Sequence, residues 1–221
     1  MIISAYSTTP RSSSTLLTAL LNQRPDVYMP FASPFIELLW RNYQLWNEPK
    51  YKIVPLEIKN ARNNYCLEIA NSFFKQCTDK KYVIDKNWSW ITIENRNMYE
   101  DLYNKKLPVI YIHRNYDDII ESYKRVVPPI YVDEYLESVK NIYYTQCNNL
   151  ENNPDNIVYI EYDDICNKTE EMLKYIEVEL NLEPYTYDLK NPSIDTEYID
   201  KMLVNDKLHV LRDASVYKKR Y

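Results

Sequence analysis

The chain has 221 residues, of which 27 are Lys or Arg and 32 are Asp or Glu, so its formal net charge is −5. A nucleic-acid-binding domain normally carries a basic surplus, so this balance argues against a nucleic-acid partner. We expect a single domain over residues 1–221, because a chain of this length can bury one large core. Apolar runs fall well short of the roughly 18 residues that span a bilayer, and residues 1–20 lack the basic start of a signal peptide. The sequence therefore predicts a soluble, cytoplasmic protein without a membrane partner.

Cysteine and histidine usage argues against a metal centre. The four cysteines show no CxxC spacing, and the chain has two histidines, His113 and His209. A zinc site usually needs closely spaced Cys or His ligands. We therefore expect reduced cysteines that serve packing: Cys66, Cys77, Cys147 and Cys166.

The chain contains no glycine. Left-handed turns must then fall on Asn or Asp, the next most tolerant residue types. We predict such turns at the pairs Asn63–Asn64, Asn148–Asn149 and Asn152–Asn153.

Short apolar runs alternate with longer amphipathic segments along the chain. The runs predict strands at Ile2–Tyr6, Val27–Met29, Tyr82–Asp85, Pro108–His113 and Ile157–Tyr162. Helical spacing predicts helices at Leu16–Leu21, Ser33–Trp46, Leu56–Cys77, Ser89–Tyr103, Asp117–Val127, Val132–Leu150 and Thr169–Leu182. This alternation predicts an α/β fold of three layers, α/β/α, with a central and mostly parallel sheet. Ligands in such folds bind at the carboxyl ends of the strands.

The stretch between the first strand and the first helix has the composition of an anion site. It contains Pro10 and Arg11, followed by four hydroxyl residues, Ser12, Ser13, Ser14 and Thr15. The N–H groups of a first helical turn have no partner within the helix and carry partial positive charge. A capping role would require only one hydroxyl, so we interpret the stretch as an anion cradle with Arg11 as its full charge.

This stretch resembles the 5′-phosphosulfate loop of the sulfotransferases that use 3′-phosphoadenosine 5′-phosphosulfate (PAPS). Their loop commonly has Pro-(Arg/Lys)-Ser-Gly-Thr/Ser-Thr before an apolar residue, and this chain has Pro10-Arg11-Ser12-Ser13-Ser14-Thr15-Leu16. Ser13 replaces the family's glycine, so a positive φ angle would be strained here. The resemblance implies a P-loop-like sulfotransferase fold, PAPS as donor and 3′-phosphoadenosine 5′-phosphate (PAP) as product. The loop lacks the Gly-Lys-Ser/Thr of a Walker A motif.

Two further stretches carry the same resemblance. Arg114 follows the fourth predicted strand and Ser122 comes eight residues later, in the register with which the family holds the 3′-phosphate. Tyr162, in Glu161-Tyr162-Asp163-Asp164, matches a family tyrosine near the adenine. The resemblance covers roughly residues 1 to 182, and a basic tail of Arg212, Lys218, Lys219 and Arg220 follows it.

The resemblance also implies how transfer occurs. Sulfuryl transfer resembles phosphoryl transfer, so positioning and cationic stabilisation carry the catalysis, without a metal. Arg11 and Lys86 match the family's cations near the transferred group, whereas Trp88 stands where the cytosolic animal enzymes have their catalytic histidine. Glu37 is our candidate for the base that activates the acceptor, and Asp85 is a weaker one.

The sequence is also compatible with two other functions. A nucleotide-dependent kinase would share the strand–loop–helix arrangement, and a non-catalytic nucleotide-binding relative would share the fold. The acceptor is a small molecule or carbohydrate bearing a hydroxyl or amine. The residues Trp40, Trp46, Trp88 and Trp90 either pack in the core or line a cleft that stacks a sugar or a phenol. Carbohydrate is favoured over small phenols or peptide tyrosine. The acceptor loops are expected at residues 47–62 and 128–133. The sequence does not determine the oligomeric state.

Overall fold

The computed structural model describes residues 2–46, 56–126 and 132–192. Five strands lie within these ranges: β1 (Ile2–Thr8), β2 (Val27–Tyr28), β3 (Tyr82–Lys86), β4 (Val109–His113) and β5 (Ile157–Glu161). The α-helices there are α1 (Ser14–Leu21), α2 (Phe35–Leu45), α3 (Leu56–Cys77), α4 (Ile93–Tyr103), α5 (Tyr116–Val126), α6 (Val132–Asn152), α7 (Tyr162–Asn167) and α8 (Thr169–Glu179). A 3₁₀ helix spans Trp88–Ile91.

The strands form one parallel sheet in the order β2-β3-β1-β4-β5. The central strand β1 pairs with β3, where Tyr6 is in register with Lys86, and with β4, where Ser7 is in register with Tyr111. Parallel neighbours require a crossover, and a helix supplies it between each pair of consecutive strands. The chain thus has the three-layer α/β/α architecture predicted from its sequence.

Each face of the sheet is buried under its own core. Side chains from α1, α7 and α8 cover one face and pack against strand residues; this core includes Leu16, Leu17, Leu20, Ile176, Tyr6, Ile112 and Ile160. Side chains from α2, α3, α4 and the 3₁₀ helix cover the other face and pack against Tyr111 of β4; the bulkiest are Phe35, Phe74, Trp90 and Tyr99. Burial on both faces explains why β4 appears in the sequence as a continuous apolar run.

The structure corrects several predicted boundaries. The helix predicted at Ser89–Tyr103 is divided, because Thr92 is extended (φ −68°, ψ 140°) between the 3₁₀ helix and α4. The strand predicted to end at Tyr162 ends at Glu161, and Tyr162 begins the short helix α7, which was not predicted. The helix predicted to reach Leu182 ends at Glu179.

The prediction of left-handed turns at the three asparagine pairs was wrong. Asn63, Asn64, Asn148, Asn149 and Asn152 lie inside α3 or α6, because these segments bury enough apolar surface to override the turn preference of asparagine. Positive φ angles occur instead at Arg11, Ser13, Asn104, Asn156 and Asn181. Asparagine therefore supplies three of these turns, and the loop after β1 supplies the other two.

Candidate active site

The strands place the predicted site residues at one edge of the molecule. All five run in the same direction, so their carboxyl ends, from Thr8 in β1 to Glu161 in β5, lie at the same edge of the sheet. The loop of residues 9–13 follows β1, and Lys86, Arg114 and Tyr162 lie at or directly after the ends of β3, β4 and β5. This edge is where parallel α/β sheets bind ligands.

The loop after β1 is held in a conformation that few L-residues adopt. Arg11 has φ 68° and Ser13 has φ 58°, and both angles belong to the left-handed region. Within the loop the hydroxyls of Thr9 and Ser12 are hydrogen-bonded at 2.8 Å, and both residues are fully buried. The loop thus has the sharp curvature that wraps backbone around an anion, and strain concentrated in this way is common at functional sites.

Helix α1 begins at Ser14, directly after this loop. Ser13 precedes it without a capping hydrogen bond from its side chain, and the first turn contains no acidic residue. The N–H groups of that turn are therefore not satisfied by a capping side chain, and the helix dipole favours negative charge beside them. The loop and the start of α1 together fit an oxyanion such as a phosphate.

Two arginines connect this loop to the 3′-phosphate residues implied by the resemblance. The Nε of Arg11 donates a hydrogen bond of 3.1 Å to the Oγ of Ser122 on α5. Arg114 donates from Nη1 to the backbone oxygen of Arg11, and its Cζ lies 4.0 Å from the centre of the Tyr162 ring. Arg11, Arg114, Ser122 and Tyr162, widely separated in sequence, are thus joined in one network.

This network is poised for an anion. The Nε of Arg114 is buried and has no hydrogen-bond partner among the described residues. A buried guanidinium donor without an acceptor is unfavourable, and a phosphate oxygen would satisfy it with a charge-assisted hydrogen bond. Burial also raises the pKa of Tyr162 to about 12, so this ring stays neutral beside the arginine.

Lys86 occupies an apolar setting at the end of β3. Its Nζ lies 4.5 Å from the centre of the Phe31 ring and 5.9 Å from that of Tyr6. Burial of the ammonium lowers the pKa of Lys86 to about 7. An anion bound beside it would favour the charged form and raise this pKa again.

Glu37 lies in the first turn of α2 and is exposed to solvent. Its Oε1 accepts a hydrogen bond of 3.3 Å from Asn87 Nδ2, which also donates to the backbone oxygen of Ser33 at 2.9 Å. Because Asn87 directly follows Lys86, this contact ties the candidate base to the segment that carries the candidate cation. The second carboxylate, Asp85, is fully buried and accepts a hydrogen bond from Trp90 Nε1 at 2.7 Å, so it is not exposed to an incoming acceptor in this structure.

Several other predictions concern residues at or beyond this edge. His113 is the last residue of β4, and its ring packs against Tyr111, Tyr143 and Tyr159. Within the described ranges, no group of three or more His, Cys, Asp or Glu residues could hold a metal ion, and no helix is both long and apolar enough to cross a membrane. The three cysteines described there, Cys66, Cys147 and Cys166, are free thiols. The basic tail and residues 47–55 and 128–131 of the expected acceptor loops lie outside the described residues. The rest of those expected loops, residues 56–62 and 132–133, belongs to helices α3 and α6.

Sequence reasoning missed four residues that support the site. Phe31 lies over Lys86, Asn87 holds Glu37, Cys166 contacts the Ser13 hydroxyl at 3.4 Å, and Gln146 reaches the end of β1. Phe31 and Asn87 follow strands β2 and β3, so their positions were a usable signal. Cys166 and Gln146 come from helices distant in sequence, and no local pattern marks them.

Comparison with known proteins identifies a family whose model matches most of this chain. The model of the family described as "Sulfotransferase family" matches residues 8–186. The chain resembles the sulfotransferase domain of the Synechococcus PCC 7002 olefin synthase, with 19% identity, a TM-score of 0.57, and coverage of 95% of this chain and 86% of that one. It also resembles the sulfotransferase domain of the curacin biosynthetic pathway, with 17% identity, a TM-score of 0.52, and coverage of 91% and 89%. A sulfotransferase from Alicyclobacillus acidocaldarius matches with 14% identity, a TM-score of 0.53, and coverage of 98% of both chains. Curated proteins give no match.

Proposed function

Because the chain belongs to the sulfotransferase family, we propose that it transfers the sulfuryl group of PAPS to a hydroxyl or amine of an acceptor and releases PAP. The observation that carries the proposal is the network of Arg11, Arg114, Ser122 and Tyr162 beside the start of α1. It offers two anion sites at one edge of the sheet, as a nucleotide with separate 5′ and 3′ charges requires.

The residues present fit this donor. The N–H groups at the start of α1 and the hydroxyls of residues 12–15 would hold the 5′ phosphosulfate. Arg114, whose Nε has no hydrogen-bond partner in the part of the chain that the structure describes, and Ser122 would hold the 3′-phosphate, and Tyr162 would pack against the adenine. PAPS supplies an activated sulfuryl group, and the protein supplies the positions and charges around it.

Arg11 and Lys86 supply the cationic stabilisation in this proposal. Negative charge grows on the oxygen that bridges to the leaving bisphosphate, and a preorganised cation stabilises it in a site shielded from water. Lys86 is held in an apolar setting where its attraction to an anion is strengthened, and it charges fully once the anion is present. No step of this proposal uses a metal ion.

Glu37 is the proposed base for the acceptor. It is exposed, so an incoming hydroxyl can reach it, and Asn87 holds it beside the Lys86 segment. Trp88 offers the acceptor an aromatic surface, since its side chain is 39% exposed, whereas Trp90 is fully buried. An exposed aromatic ring directly after Asn87, whose amide contacts the Glu37 carboxylate, suits a carbohydrate, which stacks its C–H face and hydrogen-bonds its hydroxyls. Identities below 20% with the solved relatives carry the fold alone, so their pathways do not decide the acceptor here.

The donor is tested by thermal unfolding with PAP and, separately, with ATP plus magnesium. PAP at 100 times its Kd should stabilise the protein by about 2.7 kcal/mol, which is several degrees for this size. Arg114→Ala should abolish the shift, whereas Arg125→Ala, which removes an exposed arginine paired with Glu121 on α5, should keep it. A shift with ATP and magnesium alone would favour a kinase, and a shift with neither ligand would reject both nucleotides as ligands of this site.

The base is tested by Glu37→Gln. The amide keeps the size of the side chain and its hydrogen-bonding oxygen but cannot accept a proton, so turnover should fall at least tenfold. PAP binding, followed by calorimetry, should be unchanged. Glu68→Gln, at an exposed position on α3, is the control for loss of a surface carboxylate. Normal turnover in Glu37→Gln would remove Glu37 from the mechanism.

A further inference from the structure

Gln146, on α6, is fully buried and reaches two strand ends of the candidate active site. Its Nε2 donates to the Oγ of Ser7 and to the backbone oxygen of Trp88, each at 3.2 Å. Ser7 lies next to the last residue of β1, and Trp88 lies two residues after Lys86. One side chain of α6 thus contacts β1, which leads into the loop of residues 9–13, and Trp88, in the segment that follows Lys86.

Stability alone does not explain a glutamine at this position. The Ser7 hydroxyl already donates to the Trp88 carbonyl at 2.6 Å, so both groups would keep a partner if Gln146 were apolar. The Oε1 of Gln146 is buried and has no hydrogen-bond partner among the described residues. Folding removes this oxygen from water without giving it a new hydrogen bond, which lowers the stability of the protein. A polar side chain that lowers stability at a buried position points to a functional constraint.

We propose that Gln146 is a positioning residue that holds the Lys86–Trp88 segment against the end of β1. This inference rests on the proposed function, in which Lys86 must meet the sulfuryl group held by the loop after β1. Backbone pairing holds β3 to β1 as far as Asn87, whose N–H donates to the Tyr6 oxygen at 3.1 Å. Beyond this bond, the Ser7–Trp88 hydrogen bond and the two from Gln146 form a triangle that fixes Trp88, and with it the end of the Lys86–Trp88 segment, against β1 and α6.

The placement matters because transfer depends on small distances. A shift of about 1 Å in a positioned group can reduce a rate by about a hundredfold. Lys86 is also sensitive to its setting, since its apolar surroundings change its protonation. If the segment loosens, water reaches the ammonium and its titration moves toward that of an ordinary lysine.

The test compares Gln146→Met with the wild type. Methionine has a similar length and no hydrogen-bonding amide, and it also removes the unpartnered oxygen, so the midpoint of thermal unfolding should stay the same or rise. The release of PAP from PAPS with water as acceptor should fall about tenfold, while calorimetry shows unchanged affinity for PAP. The pH profile of Lys86 acylation, followed by mass spectrometry, should move to higher pH.

Asn149→Leu is the matched control, because Asn149 lies on the same helix and is buried. Its Oδ1 accepts from the Ile93 N–H at 2.9 Å and its Nδ2 donates to the Thr145 oxygen at 2.9 Å, so its removal should lower stability. The rate per folded molecule and the Lys86 profile should not change in this control.

Two results would overturn the inference. One is a Gln146→Met protein with the rate and Lys86 profile of the wild type, and the other is a loss of rate that only follows the unfolded fraction. Failure of the wild type to bind PAP would instead reject the proposed donor. The Lys86 profile needs no donor, so it would still decide whether Gln146 positions the segment.

Discussion

At the scale of single residues, the loop after β1 shows how a chain without glycine builds a strained turn. Ser13 adopts a left-handed conformation (φ 58°) where the family usually has glycine. Such a conformation costs an L-residue about 1–2 kcal/mol. Serine keeps the backbone N–H of this position, so we expect the left-handed conformation to lower stability without removing a donor from the proposed anion site.

Ser13→Gly should therefore leave the free energy of unfolding unchanged or raise it by up to about 1 kcal/mol, because glycine relieves the strain but loses more chain entropy on folding. Denaturant unfolding measures this, and calorimetry should show PAP affinity that is equal or better. Ser14→Gly is the control, since Ser14 is in the first turn of α1, where glycine should lower stability by about 0.5 kcal/mol. A large loss of stability or affinity in Ser13→Gly would contradict this account.

At the scale of secondary-structure elements, the sequence predicted the architecture because strand and helix periods are local properties. Helix α3 (Leu56–Cys77) has the predicted bounds, and β4 (Val109–His113) differs from its prediction by one residue. The break at Thr92 was missed, because the first N–H group of α4, that of Ile93, is capped at 2.9 Å by the Asn149 side chain from the distant helix α6. No 3.6-residue pattern signals a cap of this kind.

The sequence predicted which residues lie at the strand ends of the candidate site, but it did not predict the side-chain contacts between them. Arg114 and Lys86 could be placed at one edge, because parallel strands bring their carboxyl ends together. The reach of Arg11 to Ser122 and of Gln146 to Ser7 joins residues 111 and 139 positions apart, and such pairs depend on how helices pack on the sheet. Local patterns carry no information on that packing.

Asp85 links β3 to the 3₁₀ helix, and its titration should make the free energy of unfolding depend on pH. Its buried carboxylate accepts from Trp90, and burial raises the pKa of Asp85 from 3.8 to about 6. The folded state therefore binds a proton more tightly than the unfolded state between these values, so the free energy of unfolding should fall as the pH rises from about 4 to 6.

Asp85→Asn should remove this dependence, since the amide can accept from Trp90 and does not titrate. Denaturant unfolding of both proteins between pH 4 and pH 7 tests it, and the difference between variant and wild type should grow in favour of the variant as the pH rises. Asp85→Ala should be less stable at every pH, because it loses the hydrogen bond and leaves a cavity. Parallel curves for wild type and Asp85→Asn would show that Asp85 does not titrate differently in the folded state.

At the scale of the whole described structure, residues 183–188 return to the end of α1 and close the core on that face. Arg24 and Glu177, both almost fully buried, form an ion pair of 2.8 Å. The same Arg24 Nη1 donates to the backbone oxygen of Glu183, and Glu177 also accepts from the N–H of Tyr185 and the hydroxyl of Tyr187, each at 3.0 Å. One buried carboxylate thus anchors α8, the segment after it and the turn before β2.

Glu177→Ala should cost about 3–5 kcal/mol, because it leaves the Tyr185 N–H and the Tyr187 hydroxyl without their acceptor. It also leaves the buried Arg24 guanidinium with only the partly exposed Asp26, at 3.2 Å, as its counter-charge. For a chain of this size that corresponds to a fall of about 10 °C in the unfolding midpoint. Glu170→Ala is the control on the same helix, where an exposed pair with Lys174 should be worth well below 1 kcal/mol. Replacing both partners, as Arg24→Met with Glu177→Leu, should recover much of the loss, since no buried charge remains unpaired. Equal midpoints for Glu177→Ala and Glu170→Ala would show that the ion pair does not hold this segment, and the stability of this face would then rest on its apolar core.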